Sequence, residues 1–387
     1  MKFKKTIIAA IMLCSVVCYG QTTYTIPLEK LNTSLAVPAM TARDGVVYVA
    51  YRSFDWLRQS DQLQVVAYDL HARKVVKRGT IPVPKVHGPR ASSGLALSHD
   101  GTMLAYVELH NPGLELLISS KDLAEIRHSN VLPFTDQDYR RGFAGFDSAD
   151  RLSLMSFSRD FPRHGEDVPR FIHTSTEDFK VISDTKASSI AKAVYSNYLA
   201  WDPIINRFWL PNSGGNVLQY NEEGQSTGEE LTTDIHQLDA GAIPLGQAGV
   251  IAFYTMVSRG AVASYTNHKS HTLELSCSPR PYGASNDHAY AGAICITQPD
   301  RLPEAGGDRV LTSEFLLIRT DGPQVVWRQK MSAMGAGDKD YFGWASAVIE
   351  HGDKKVWVVA PTKSPELAVY EVPLPEDEPT KSEPTIH

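Results

Sequence analysis

Histidine, arginine, aspartate and tyrosine recur together in six short polar segments far apart in the chain. These are His87-Gly-Pro-Arg90, Asp136-Gln-Asp-Tyr-Arg-Arg141, Tyr195-Ser-Asn-Tyr198, His236-Gln-Leu-Asp239, Asn286-Asp-His-Ala-Tyr290 and Asp338-Lys-Asp-Tyr341. Imidazole takes or gives a proton near neutral pH, guanidinium clamps carboxylate or phosphate through forked hydrogen bonds, and carboxylate and phenol accept and donate. The same residues are frequent in turns for backbone reasons alone, so solvated loops and a functional site both stand as readings. Concentrating such groups at a constriction is costly unless something pairs them. The candidate ligand-binding set is Arg90, Asp138, Arg141, Tyr198, His288 and Asp340. Arginines alone would suit an anion and carboxylates alone Ca²⁺. Together they favour a small polar, zwitterionic or hydroxylated molecule, a glycan or a protein surface, with a bound cation as a second option. The alternative is a hydrolase or lyase in which His87 or His288 is the general base and Arg90 or Arg141 holds an anionic group.

Recognised catalytic spacings are missing: no G-x-S-x-G elbow, H-E-x-x-H, Walker loop, G-x-G-x-x-G or EF-hand pattern occurs, and no motif assigns a cofactor. His268 and His271, three apart in an expected hairpin, would point to opposite sides of a strand and not share a metal. The formal net charge is −6 over 387 residues, which offers no positive field for a phosphate backbone and argues against nucleic acid as a partner.

Residues 1–20 read as a secretory signal, with Lys2, Lys4 and Lys5 ahead of an apolar stretch from Thr6 to Tyr19 that is too short to span a bilayer. Its removal takes the net charge from −6 to −9 and predicts a secreted or periplasmic chain without a transmembrane segment. Cys18 raises lipoprotein processing, but Val17 is a poor neighbour for it. Cys277 and Cys295 are left in an oxidising compartment, where two cysteines usually pair. Strand register argues the other way, because Cys277 closes the expected outer strand of the fifth repeat and Cys295 lies in the expected inner strand of the sixth.

The elements that must hold these groups follow from a repeat of about fifty residues. Runs of small and apolar residues open each copy: Ser93–Leu97, Gly142–Phe146, Tyr198–Trp201, Ala240–Ile243, Tyr290–Ile294 and Phe342–Ser346, with a less regular first copy near Ala39. A polar turn and a second β-rich run follow each, as in His99-Asp-Gly101 before Met103–Val107. Short β-rich runs between regular turn signals call for all-β structure. Seven copies of four strands predict an all-β, seven-bladed β-propeller of four-stranded antiparallel blades over residues 21–373. Thr22–Glu29 is expected to join the last blade as its outer strand and remove an exposed edge. Residues 374–387, Pro-rich and charged, read as a disordered tail.

The segment Leu97-Ser-His-Asp-Gly-Thr-Met-Leu-Ala-Tyr106 resembles the repeat of the bacterial YVTN and TolB-like, WD40-like propeller group, in which an Asp-Gly turn joins the innermost strand to the next. That resemblance implies the fold. The group includes lactonases, amine-dehydrogenase heavy chains and binding subunits, so it leaves activity open. In such a ring every connection from an outer strand to the next inner strand emerges on one face. The six polar segments are therefore expected together at one mouth of the channel, and the opposite face, built of Asp-Gly-type turns, is expected to be structurally ordinary. The sequence thus points to an exported propeller binding protein.

Overall fold

The computed structural model describes residues 24–29, 38–55, 60–84, 93–109, 113–134, 138–158, 169–188, 190, 199–211, 215–235, 241–255, 259–297, 312–330, 347–362 and 365–374. Seven four-stranded antiparallel sheets make up these residues, so the seven-bladed propeller expected from the repeat is the fold. The signal segment and the tail beyond Leu374 lie outside the described residues.

Each blade runs from an innermost to an outer strand. The innermost strands are Ala39–Arg43 (blade 1), Ser93–Leu97 (blade 2), Asp138–Phe146 (blade 3), Ala200–Asp202 (blade 4), Ala242–Pro244 (blade 5), Ser278–Ala284 (blade 6) and Val348–His351 (blade 7). Neighbouring innermost strands touch between blades 1 and 2, 2 and 3, 4 and 5, 5 and 6, 6 and 7, and again 7 and 1, which closes the ring. Small residues in several of these strands, such as Ser93-Gly-Leu-Ala-Leu97, permit that approach. Second and third strands carry the aliphatic load: Met103–Glu108 and Leu114–Ser119 are buried almost throughout. Outer strands such as Glu125–Ser129 are mostly exposed.

The core is a set of layers between sheets. Val47, Val49 and Tyr51 of blade 1 meet Val359, Leu367 and Val369 of blade 7, while Leu317 and Trp327 of blade 6 meet Val358 and Tyr370 of blade 7. Complete burial of one such side chain is worth about 1.5–3 kcal/mol. Tyr24–Pro27 pairs antiparallel with Glu366–Val369, so the N-terminal strand completes blade 7 from outside as expected.

In blade 6 the expected register is one strand out. Tyr290–Thr297 is the second strand, and the innermost strand is Ser278-Pro-Arg-Pro-Tyr-Gly-Ala284. Pro279 and Pro281 make that run look unlike a strand. An innermost strand pairs on one side only, however, so a proline with no N–H to offer is tolerated on its channel-facing edge. Phe315–Ile318 accordingly belongs to the third strand, Thr312–Arg319.

The same shift settles the cysteines. Cys277 immediately precedes the innermost strand of blade 6 and Cys295 sits in the adjacent second strand, with Cα atoms 5.5 Å apart in a disulfide. The expectation that register keeps them apart is corrected, and the pairing argued from compartment is what the chain adopts.

Candidate ligand site at the channel mouth

The turns from innermost to second strand form one mouth of the channel, and they are built from a repeated device. In blade 2, Ser98 N–H donates to the Met103 carbonyl at 2.8 Å and Gly101 N–H to the Ser98 carbonyl at 2.9 Å. Ser98 Oγ donates to Asp100 Oδ1 at 2.7 Å and accepts from Met103 N–H at 2.9 Å. Blade 6 repeats this turn atom for atom. Ser285 N–H donates to the Tyr290 carbonyl at 2.8 Å and His288 N–H to the Ser285 carbonyl at 2.8 Å. Ser285 Oγ donates to Asp287 Oδ1 at 2.6 Å and accepts from Tyr290 N–H at 3.1 Å. The left-handed position is Gly101 in blade 2, at φ 75°, and His288 in blade 6, at φ 62°. A side chain there costs on the order of 1 kcal/mol relative to glycine.

His288 therefore stands in an inner-to-second-strand turn, on the face opposite the outer-to-inner connections among which it was expected. Arg141 lies on the innermost strand of blade 3, paired with Ser156, its guanidinium 5.4 Å from the centre of the Phe134 ring. It is on the far side of that strand from its turn, whereas His288 stands in a turn of the opposite face. Asp138 begins the same strand, at the end where the outer-to-inner connections arrive. His87, Arg90, Tyr198 and Asp340 lie outside the described residues.

Nor is the face of Asp-Gly-type turns ordinary. A cavity of about 740 Å³ opens there on the channel axis, with walls from blades 1, 2, 4, 5 and 6. Its apolar side is Ile204, Ile205 and Ile243, and its polar side includes Arg43, His99 and His288. Apolar walls with a few fixed polar groups, at this volume, are the ordinary make-up of a small-molecule site.

Hydrogen bonds run from turn to turn round this mouth and hold its shape. Arg43 Nη1 donates to the carbonyls of His99 at 2.8 Å and Ser98 at 3.3 Å, and His99 N–H donates to Asp150 Oδ1 at 2.8 Å. Gly45 N–H donates to the buried Glu350 at 2.8 Å. Asn286 reaches from blade 6 to the Ala42 carbonyl of blade 1, and His351 contacts Asp287. Asp287 is held below its ordinary range: burial opposes ionisation, but His351, Ser285 and the Ala289 N–H outweigh it. Asp202, buried beneath Gly246 and the His288 ring, is pushed up by that burial, against backbone N–H donors and the nearby imidazole.

The signal that would have placed this mouth is present in the chain. Aligning Ser98-His-Asp-Gly-Thr-Met103 with Ser285-Asn-Asp-His-Ala-Tyr290 puts the two serines and two aspartates in register and turns His288 into the counterpart of Gly101. Ile204, Ile205 and Ile243 gave no such signal, because an isoleucine beside a strand reads as core. Among the described residues no group of three or more His, Cys, Asp or Glu side chains is arranged to hold a metal ion.

No family model and no curated protein sequence matches the chain. Among solved structures it is similar to WD40 and other β-propeller domains. One is the β-propeller domain of Myceliophteria thermophila Cps50 (Swd1), at 12% identity over 91% of this chain and 99% of that one, with a TM-score of 0.49. The RRP9 WD40 repeats match at 10% identity over 92% and 99%, TM-score 0.49. Pyrococcus horikoshii acylaminoacyl peptidase matches at 13% identity over 91% of this chain and 54% of that one, TM-score 0.42.

Proposed function

We propose that this chain is an exported propeller binding protein whose ligand, a small polar molecule or the end of a larger one, sits in the channel mouth formed by the inner-to-second-strand turns. The observation that carries the reading is the cavity itself: five blades contribute to it and hydrogen bonds between turns fix its outline. A cavity assembled from residues more than 200 positions apart, from Arg43 to His288, exists only because the ring closes. Placing histidine where blade 2 has glycine gives up backbone ease for a side chain at the mouth. The disulfide supports export, since such bonds persist in oxidising compartments.

The test is a thermal-shift and calorimetry screen of the protein lacking residues 1–20 against amino acids, short peptides, sugars and oligosaccharides, repeated with His288→Gly. Glycine suits the backbone at φ 62°, so the midpoint is expected to hold or rise slightly. Affinity for any ligand found is expected to fall about tenfold, the worth of one lost hydrogen bond to a polar group. A ligand whose affinity is identical in the two proteins refutes the placement at this mouth.

A further inference from the structure

A second cavity of about 550 Å³ lies in the cleft between blades 4 and 5 and shares Ile205, Gly246, Gln247 and Ala248 with the channel mouth. The two meet over the short 3-10 turn Gly246–Ala248 and so form one trench running from the axis outward.

The blade 4 wall of this cleft departs from the rule that inter-blade faces are aliphatic. Trp209 of the second strand is paired with Gln219 of the third, and Thr227 Oγ1 of the outer strand donates to Gln219 Oε1 at 2.9 Å. The amide oxygen is thereby committed and its nitrogen is left to donate. Trp209 is 1% exposed, and its indole N–H is buried with no hydrogen-bond partner. An unmade bond of that kind in a site wall is costly unless a ligand completes it. Facing it across the cleft, the Tyr265 phenol donates to Glu229 Oε2 at 2.6 Å. That bond, with burial and the nearby carboxylate, lifts the phenol to about 12. His268 Nδ1 lies 3.4 Å from the same carboxylate, and Arg207 adds one positive charge to the lining.

We infer that this cleft is a subsite for a neutral, hydroxylated chain, an oligosaccharide whose end occupies the channel mouth and whose next units lie along Trp209, Gln219, Glu229 and Tyr265. The inference rests on the mouth being the ligand seat. Its chemistry follows from the lining. Arg207 and Glu229 offset one another, so no net charge calls for an ion. Sugar hydroxyls both donate and accept, and so can give to Glu229 while taking from the Trp209 indole and the Gln219 amide. The Tyr265 ring, set edge to face with Trp209 at 6.0 Å, supplies the flat apolar surface on which a sugar ring rests.

The experiment is isothermal titration of the protein lacking residues 1–20 with maltohexaose, cellohexaose, xylohexaose and mannohexaose, and with the disaccharide of whichever binds. Glu229→Gln, Trp209→Phe and His288→Gly are titrated in parallel, each first checked for an unchanged thermal midpoint. Glu229 lies at the surface of the cleft, so its variant stays informative even if Trp209→Phe fails to fold. At least one hexasaccharide is expected to bind, more tightly than its disaccharide. Glu229→Gln and Trp209→Phe should each weaken it about tenfold. Loss on His288→Gly with no change in Glu229→Gln and Trp209→Phe overturns the cleft and leaves the mouth standing. Indifference to all three variants overturns both. No binding by any of the four hexasaccharides, or a Gly-Ser hexapeptide that binds with the same sensitivity to the variants, overturns the assignment to a glycan.

Discussion

Two of the joints between blades are fastened by buried charge, and they are fastened differently. Between blades 1 and 2, Arg52 gives a forked pair of hydrogen bonds to Glu108, both at 2.7 Å, and reaches Asp61 at 3.2 Å. The three side chains are at most 3% exposed. Tyr106 adds its hydroxyl to Glu108 at 2.5 Å. Burial would lower the Arg52 pKa, but Glu108 and Asp61 raise it on balance, so this charge persists at every pH a folded protein meets. Between blades 3 and 4 the fastener is His173, whose Nδ1 lies 3.1 Å from Asp147 and whose Nε2 lies 2.7 Å from Glu222 in the next blade. Burial opposes its protonation, yet the two carboxylates outweigh that and lift it to about 9. One joint carries a permanent charge and the other a conditional one.

The permanent joint should give the largest effect when cut. Arg52→Ala leaves Glu108 and Asp61 buried without their cation, and removal of one partner from such a cluster costs about 3–5 kcal/mol. Urea unfolding is expected to show that loss. Replacing Arg52, Asp61 and Glu108 together by methionine and leucine should restore most of it, because a well-packed apolar set costs no desolvation. A loss below about 1 kcal/mol for Arg52→Ala would mean that water reaches this joint and that the two fasteners are alike.

The conditional joint should show itself in pH. His173 has a folded pKa raised from 6.5 to about 9, so its contribution is complete below pH 6.5 and disappears as pH rises through about 9. Asp147 is lowered to about 2: burial opposes this, but His173, the N–H groups of Arg151 and Ala149 and the Arg151 side chain prevail. Its contribution is present above the ordinary carboxylate pKa and is lost as pH falls through about 2. Stability measured from pH 7 to pH 10 is expected to decline by on the order of 2–3 kcal/mol. His173→Gln should flatten that decline, whereas the Arg52, Asp61 and Glu108 triple replacement should leave it in place. An alkaline decline that survives His173→Gln assigns the titration to another group and removes the contrast between the joints.

How much of this could be read beforehand differs by element. The fold was legible because the repeat is written in strand-sized apolar runs and Asp-Gly turns, and the closing strand because Thr22–Glu29 stood unclaimed before the first copy. Blade 6 was misread because Ser278-Pro-Arg-Pro-Tyr282 carries prolines that local preference excludes from strands, and only the one-sided pairing of an innermost strand admits them. That single slip moved His288 to the wrong end of the channel and set Cys277 and Cys295 apart. Arg52, His173 and Trp209 gave no signal of their roles, because a charged or aromatic residue inside a β-rich run looks the same whether its partner is water or the next blade.

The smallest expected effect is also the most discriminating. Glu222 lies in the turn between the third and outer strands of blade 4 and is 14% exposed, so its bond to His173 is the part of the joint that solvent screens. Glu222→Gln keeps an acceptor at Nε2 and removes only charge. The cost at pH 7 is expected to be about 1 kcal/mol, in the range of a partly exposed charged hydrogen bond. The sign of its second consequence is fixed. With one carboxylate gone the histidine is less strongly held in its charged form, so the alkaline decline, which starts near the ordinary imidazole pKa of 6.5 in either protein, should be smaller and end at a lower pH. It should still end above 6.5, because Asp147 remains on Nδ1. Proton resonances of the His173 ring followed through the titration would separate this outcome from simple loss of packing, which lowers stability equally at every pH and leaves the midpoint of the imidazole where it was.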